Sequence, residues 1–93
     1  MVTQEEEIKP ESGSPEPSAD ELRARVAASV MRLLGRPQGR HRVDVHPLWQ
    51  NRYRVNVLLG EGSTYVEMAH SFFVVADEAG NVLESRPPIN KQY

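Results

Sequence analysis

The chain contains no cysteine, which excludes disulfides, thiolate zinc sites, iron–sulfur clusters and cysteine nucleophiles together. No run approaches the roughly 18 apolar residues that span a bilayer. The opening MVTQEEEIKP is acidic, where a secretory signal is basic and then apolar. A cytoplasmic protein without membrane contact is the expectation. Aromatics make up only 6% of the residues, lysine occurs twice against nine arginines, and positions 55–85 hold no Lys or Arg. At 93 residues a chain has room for one domain and little area for both a core and an enclosed substrate cavity. An enzyme acting alone is therefore the less expected class.

Residues 1–18 carry Pro10, Pro15 and Pro17 and five glutamates against Lys9, with almost nothing to bury. That composition predicts a disordered acidic tail, followed by a single α+β domain over 19–93. Ser18 with Glu21 matches a capping box, and Asp20 and Glu21 suit the positive end of a helix. Leu22, Val26, Val30 and Leu33 recur on one helical face, so a helix is expected from about 19 to 34. Gly35 and Pro37 then stop it.

From Arg40 the hydrophobic period becomes two. Val43 and Val45 alternate with Arg42, Asp44 and His46; Tyr53, Val55, Val57 and Leu59 form the apolar set of a second strand. Pairing 45 with 53 and 43 with 55 keeps both apolar sets together and sets Asp44 opposite Arg54 and His46 opposite Arg52. A tight turn with Glu61 and Gly62 at its tip predicts a third strand, TYVEMAHSFFVVA, with Val57 opposite Val66, Val55 opposite Met68 and Tyr53 opposite His70. Asp77 to Asn81 reads as a turn with Gly80 left-handed, leading to a fourth strand near 82–85 that Pro87 and Pro88 end. The fold expected is one helix on a four-stranded antiparallel meander, with Val26, Val30, Val55, Val57, Met68 and Phe72 as its core.

Signals for catalysis are weak. His41 and His46 are an odd number of positions apart on one strand and point to opposite faces, and Arg52 near His46 repels a cation. No metal and no cofactor are expected. His70 reads as a hydrogen-bonded core or rim histidine, and Ser71, its neighbour, faces the other way and lies in no glycine-flanked elbow. Neither GxGxxG nor GxxxxGK[ST] occurs. No catalytic residue is assigned.

Charge layout is more informative. Residues 22–54 hold eight arginines and one acid, Asp44, whereas residues 55–85 hold five acids. Arg25, Arg32 and Arg36 share a sector of the helical projection, while Arg42, Arg52 and Arg54 share the sheet face away from the helix. Arginine makes planar bidentate contacts to phosphate and carboxylate, so Arg36, Arg40, Arg42, Arg52 and Arg54 with Trp49 are the candidate anion or nucleic-acid contacts. A solvated, composition-driven arginine surface is the plain alternative. Leu58, Tyr65, Phe73 and Val75 also fall on the outer sheet face, where one helix leaves them uncovered, and they form the candidate partner face. The C-terminal RPPINKQY, through Ile89 and Tyr93, is the alternative cover for it.

Three functions fit these features. The leading one is a non-catalytic interaction module that binds a protein partner, or weakly a second copy, through a sheet face or edge strand. The second is a nucleic-acid-binding domain whose arginine band competes with the acidic tail. The third is an accessory subunit that completes an enzyme site.

Overall fold

The computed structural model describes residues 17–61 and 64–93. Helix α1 (Ala19–Leu34) is followed by β1 (His41–Pro47), β2 (Arg52–Glu61), β3 (Thr64–Ala76) and β4 (Val82–Arg86). The strands lie in the order β1-β2-β3-β4, each antiparallel to the next. This is the expected helix on a four-stranded meander. The disordered stretch expected over 1–18 lies outside the described residues as far as residue 16. Ser18 belongs to the folded unit as the helix N-cap: its Oγ accepts from the Glu21 backbone N–H, and Glu21 Oε1 accepts from the Ser18 N–H. That reciprocal pair satisfies two amide donors that a helix start otherwise leaves open.

The buried stripe of α1 runs through Val26, Ser29, Val30, Met31 and Leu34, while Leu33, expected on that face, is 46% exposed. The stripe drifts because the last turn is covered from a new side by the C-terminal segment. Gln92 and Tyr93 both donate backbone N–H groups to the Leu34 carbonyl, at 2.7 and 3.2 Å. Gly35 makes this approach possible. Its φ is 90°, and a Cβ there would stand 2.8 Å from the Tyr93 carbonyl carbon.

Helix and sheet share a core of Val26, Val30, Met31, Leu34, Tyr53, Val55, Val57, Phe72, Val74 and Ala76, with Leu22, Val43, Val45, Val82 and Ile89 packed at its margin. Full burial of each large aliphatic side chain contributes about 1.5–3 kcal/mol. Ser29 is the buried polar residue, and its Oγ donates to the Gly80 carbonyl at 2.9 Å. The helix thus clasps the turn between β3 and β4, and Gly80, with φ 90°, leaves room for Arg25.

Both predicted registers shift. Val45 pairs with Val55 and Val43 with Val57, two residues from expectation, so Asp44 faces Asn56 and His46 faces Arg54. The slip preserves the faces because it is even. Its cause is the turn: Leu48 N–H donates to the Arg52 carbonyl and Arg52 N–H to the Trp49 carbonyl, with Asn51 left-handed at φ 61°. The reversal therefore falls at Trp49 to Asn51, leaving Pro47 paired with Tyr53. Asparagine tolerates that conformation better than most residues.

Between β2 and β3 the register steps twice. His70 faces Val57, Met68 faces Leu58, Glu67 faces Leu59 and Tyr65 faces Gly60. Ala69 and Val66 are the extra residues in β3. Each bulge inverts the side on which the following residues fall, so Met68 joins Leu58 on the outer face and is 58% exposed. Met68 is thus not a core residue, and Phe72, opposite Val55, fills that place. Glu61 pairs with Thr64 and so belongs to the strands, not to the turn tip, while Gly62 and Ser63 lie outside the described residues.

Candidate functional site on the outer sheet face

The face opposite α1 is built from alternate residues of all four strands. One cross-strand row runs His46–Arg54–Phe73–Arg86, and the next runs Arg52–Val75–Glu84. Asn56 and Ser71 form a third pair, with Ser71 Oγ donating to Asn56 Oδ1 at 2.7 Å. Arg42 faces Leu58. The two candidate sets, one apolar and one basic, are therefore a single surface, because Arg54 neighbours Phe73 and Arg52 neighbours Val75.

Trp49 completes it. The turn after β1 folds the indole onto this face, 5.9 Å from the Phe73 ring at a tilted 44°, and the Arg52 guanidinium lies 5.5 Å from the indole centroid. Arg52 is held there by a 2.9 Å hydrogen bond to the Gln50 carbonyl. A guanidinium over an indole is attracted by the ring quadrupole. Phe73, Val75 and Leu58 are only partly exposed, whereas Trp49 is 58% exposed. The open apolar surface is accordingly Trp49 and Met68, with Phe73 beneath the indole. Tyr65 pairs through its backbone with Gly60, and its side chain lies outside the described residues.

The C-terminal segment does not serve as the outer cover. It binds the helix end, and the Tyr93 hydroxyl lies 2.8 Å from His70 Nε2, with the two rings edge to face at 5.7 Å. His70 also stacks on Phe72 at 5.9 Å. This is the hydrogen-bonded rim histidine expected from the sequence, opposite Val57 instead of Tyr53. Ser71, with its hydroxyl engaged by Asn56, lies on the other face from it.

The arginine band divides. Arg42 Nε meets Asp44 Oδ1 at 3.0 Å and its Nη2 donates to Oδ2 at 3.0 Å, so Asp44 neutralises Arg42 along its own strand and does not pair with Arg54. Arg86 pairs with Glu84 at 3.5 Å. Arg36 lies past the helix cap, and so shares no helical sector with Arg25 and Arg32. Arg40 packs its stem against Gly60. These two sit at the end of the sheet remote from Trp49. Only Arg42, Arg52 and Arg54 of the five candidate arginines share the face, and among the described residues Arg54 makes no ion pair.

Two members of the surface, Met68 and Arg86, escape sequence reading. Met68 depends on an unforeseen bulge, and Arg86 lies outside the arginine-rich stretch. A groove between α1 and β1, lined by Ala24, Ala27, Val43 and Val45, is a second depression but brings no polar constellation together. Among the described residues no group of three His, Asp or Glu side chains is placed to hold a metal ion, and no helix is long and apolar enough to cross a membrane. Comparison with protein-family models, curated proteins and solved structures gives no match.

Proposed function

We propose that the protein is a non-catalytic interaction module that receives a protein partner on its outer sheet face, with Trp49 as the anchor. The observation that carries this reading is the convergence of Trp49, Phe73, Arg52 and Arg54 on one open surface. Tryptophan and arginine dominate the energetics of protein interfaces, since both combine large contact area with directed polar contacts. Carboxylates on the partner would meet Arg54 and Arg52, while an apolar side chain would pack on the indole. The expected setting is the cytoplasm.

The test is the mass in solution together with whatever co-purifies, for the native chain and for Phe73→Glu. The charge at the centre of the face should abolish the complex and leave the circular dichroism spectrum unchanged. A complex that survives Phe73→Glu overturns the reading.

A second reading is favoured by the same aromatic pair. A base stacks on an indole as readily as an aliphatic side chain does, and flanking guanidinium groups suit phosphates, so a single-stranded nucleic acid is the alternative occupant. Its signature is steep weakening with salt.

A further inference from the structure

The first helical turn sits at the same end of the sheet as Trp49. Pro17 lies in a depression shared with Leu22, Asn51 and Glu78, and Asn51 adjoins Arg52 and is two residues from the indole. The sixteen residues before Pro17 therefore leave the domain beside the candidate face. They carry Glu5, Glu6, Glu7, Glu11 and Glu16 against Lys9, and contain Pro10 and Pro15. Extended, such a length reaches about 50 Å, several times the roughly 10 Å between stacked sheet layers.

We propose that residues 1–16 occupy the outer sheet face of their own chain, with glutamates against Arg52 and Arg54 and a proline against Trp49. Charge complementarity supports this occupant, because the segment is acidic and the open cations of the face are guanidinium groups. Its composition also fits, since proline-rich extended segments dock on exposed aromatic rings at low entropic cost. Tethering raises the local concentration of the segment to about the millimolar range, so contacts too weak to hold a free peptide suffice. The inference rests on the outer face being the binding surface, and it adds that any partner must displace an acidic segment and so carries negative charge of its own.

Trp49 is the single tryptophan, so its emission reports on this one place. The full chain is compared with a full-length variant in which Glu5, Glu6, Glu7, Glu11 and Glu16 are all glutamine, using acrylamide, a neutral quencher. At low salt the variant should be quenched about twofold more strongly, and the native chain should approach the variant at about 0.5 M salt as the ion pairs are screened. The native reading should be unchanged on dilution to about 1 µM, as an intramolecular contact requires. Equal quenching of the two chains, with no salt effect in the native protein, overturns the proposal. A difference that vanishes on dilution overturns it as well, by assigning the segment to a second copy. The salt response of the native chain stands as the test even if the variant folds poorly. The glutamine variant keeps the face intact, so a face that binds its partner but shows no effect of the segment rejects this inference alone.

Discussion

At the scale of single residues, Phe72 and Met68 differ in what surrounds them although both are apolar and lie on the same strand. Phe72 lies between α1 and Val55, and replacing it with alanine should cost about 3 kcal/mol through lost burial and the cavity left behind. Met68, displaced outward by the extra Ala69, should tolerate alanine within about 0.5 kcal/mol. Urea midpoints of the two variants measure the difference; equal losses would mean that the bulge is misplaced. Asp77 is a residue of a different kind. Its carboxylate is held below the ordinary aspartate range, first by the Asn81 backbone N–H and then by the Asn81 side chain, with smaller contributions from the Ala79 and Gly80 amides against a small opposing desolvation. A depressed folded value means that the ionised form stabilises the fold. This contribution is complete above the unfolded carboxyl pKa and is lost as pH falls through the folded one. Asp77→Ala should therefore lower the denaturation midpoint at neutral pH, and the gap to the native protein should narrow at pH about 2.5. A gap independent of pH would show that Asp77 acts only by filling space.

At the scale of elements, the C-terminal segment is joined to α1 through a contact that glycine alone permits. Gly35→Ala places a methyl group 2.8 Å from Tyr93 backbone at a φ of 90°. It should cost about 1–3 kcal/mol and release Gln92 and Tyr93 to fast amide exchange. Tyr93→Phe, which removes only the hydroxyl facing His70, should cost about 0.5–1.5 kcal/mol and leave those amides protected. Equal exchange in both variants would argue against the glycine contact. This docking also marks where local sequence signals stop. Helix α1 with its Ser18–Glu21 box, the two-residue periods of β1 and β2, and the Asp77–Gly80 turn were legible because each is decided by neighbours a few positions away. Registers were not, since the Trp49–Asn51 reversal and the unpaired Ala69 and Val66 depend on how twisted strands meet the helix. The same holds for the site. Arg52, Arg54 and Phe73 could be assigned to one face by alternation, but the indole of Trp49 lying over Phe73 comes from a turn whose reversal point sequence pattern misplaced.

At the scale of the whole molecule, the small formal net charge of −2 conceals an acidic segment, an outer face bearing guanidinium groups and a β3–β4 half rich in acids. Both edges of the sheet are guarded: β1 carries Arg42, Asp44 and His46 on its outer side and ends at Pro47, while β4 is five residues long and is followed by Pro87 and Pro88. Short, charged or proline-terminated edges resist strand addition, which leaves the broad outer face as the surface with most to offer a partner. Salt then separates the two occupants. Arg42 and Arg86 already have carboxylate partners, so a single-stranded nucleic acid would gain chiefly the Arg52 and Arg54 contacts. With a slope of about −0.7 per phosphate contact, two contacts imply about a sevenfold loss of affinity between about 50 and 200 mM salt. Converting Arg52 and Arg54 to glutamine should flatten that dependence, as read by fluorescence anisotropy of a labelled oligonucleotide. A protein partner seated on Trp49 and Phe73 should instead change affinity by less than about twofold over the same range, because apolar burial is little affected by moderate salt. Oligonucleotide binding with the steep slope in the native chain and a flat one in the double variant would replace the protein-partner reading with the nucleic-acid one. No oligonucleotide binding at about 50 mM salt, where the electrostatic contribution is largest, would remove nucleic acid as an occupant of the face.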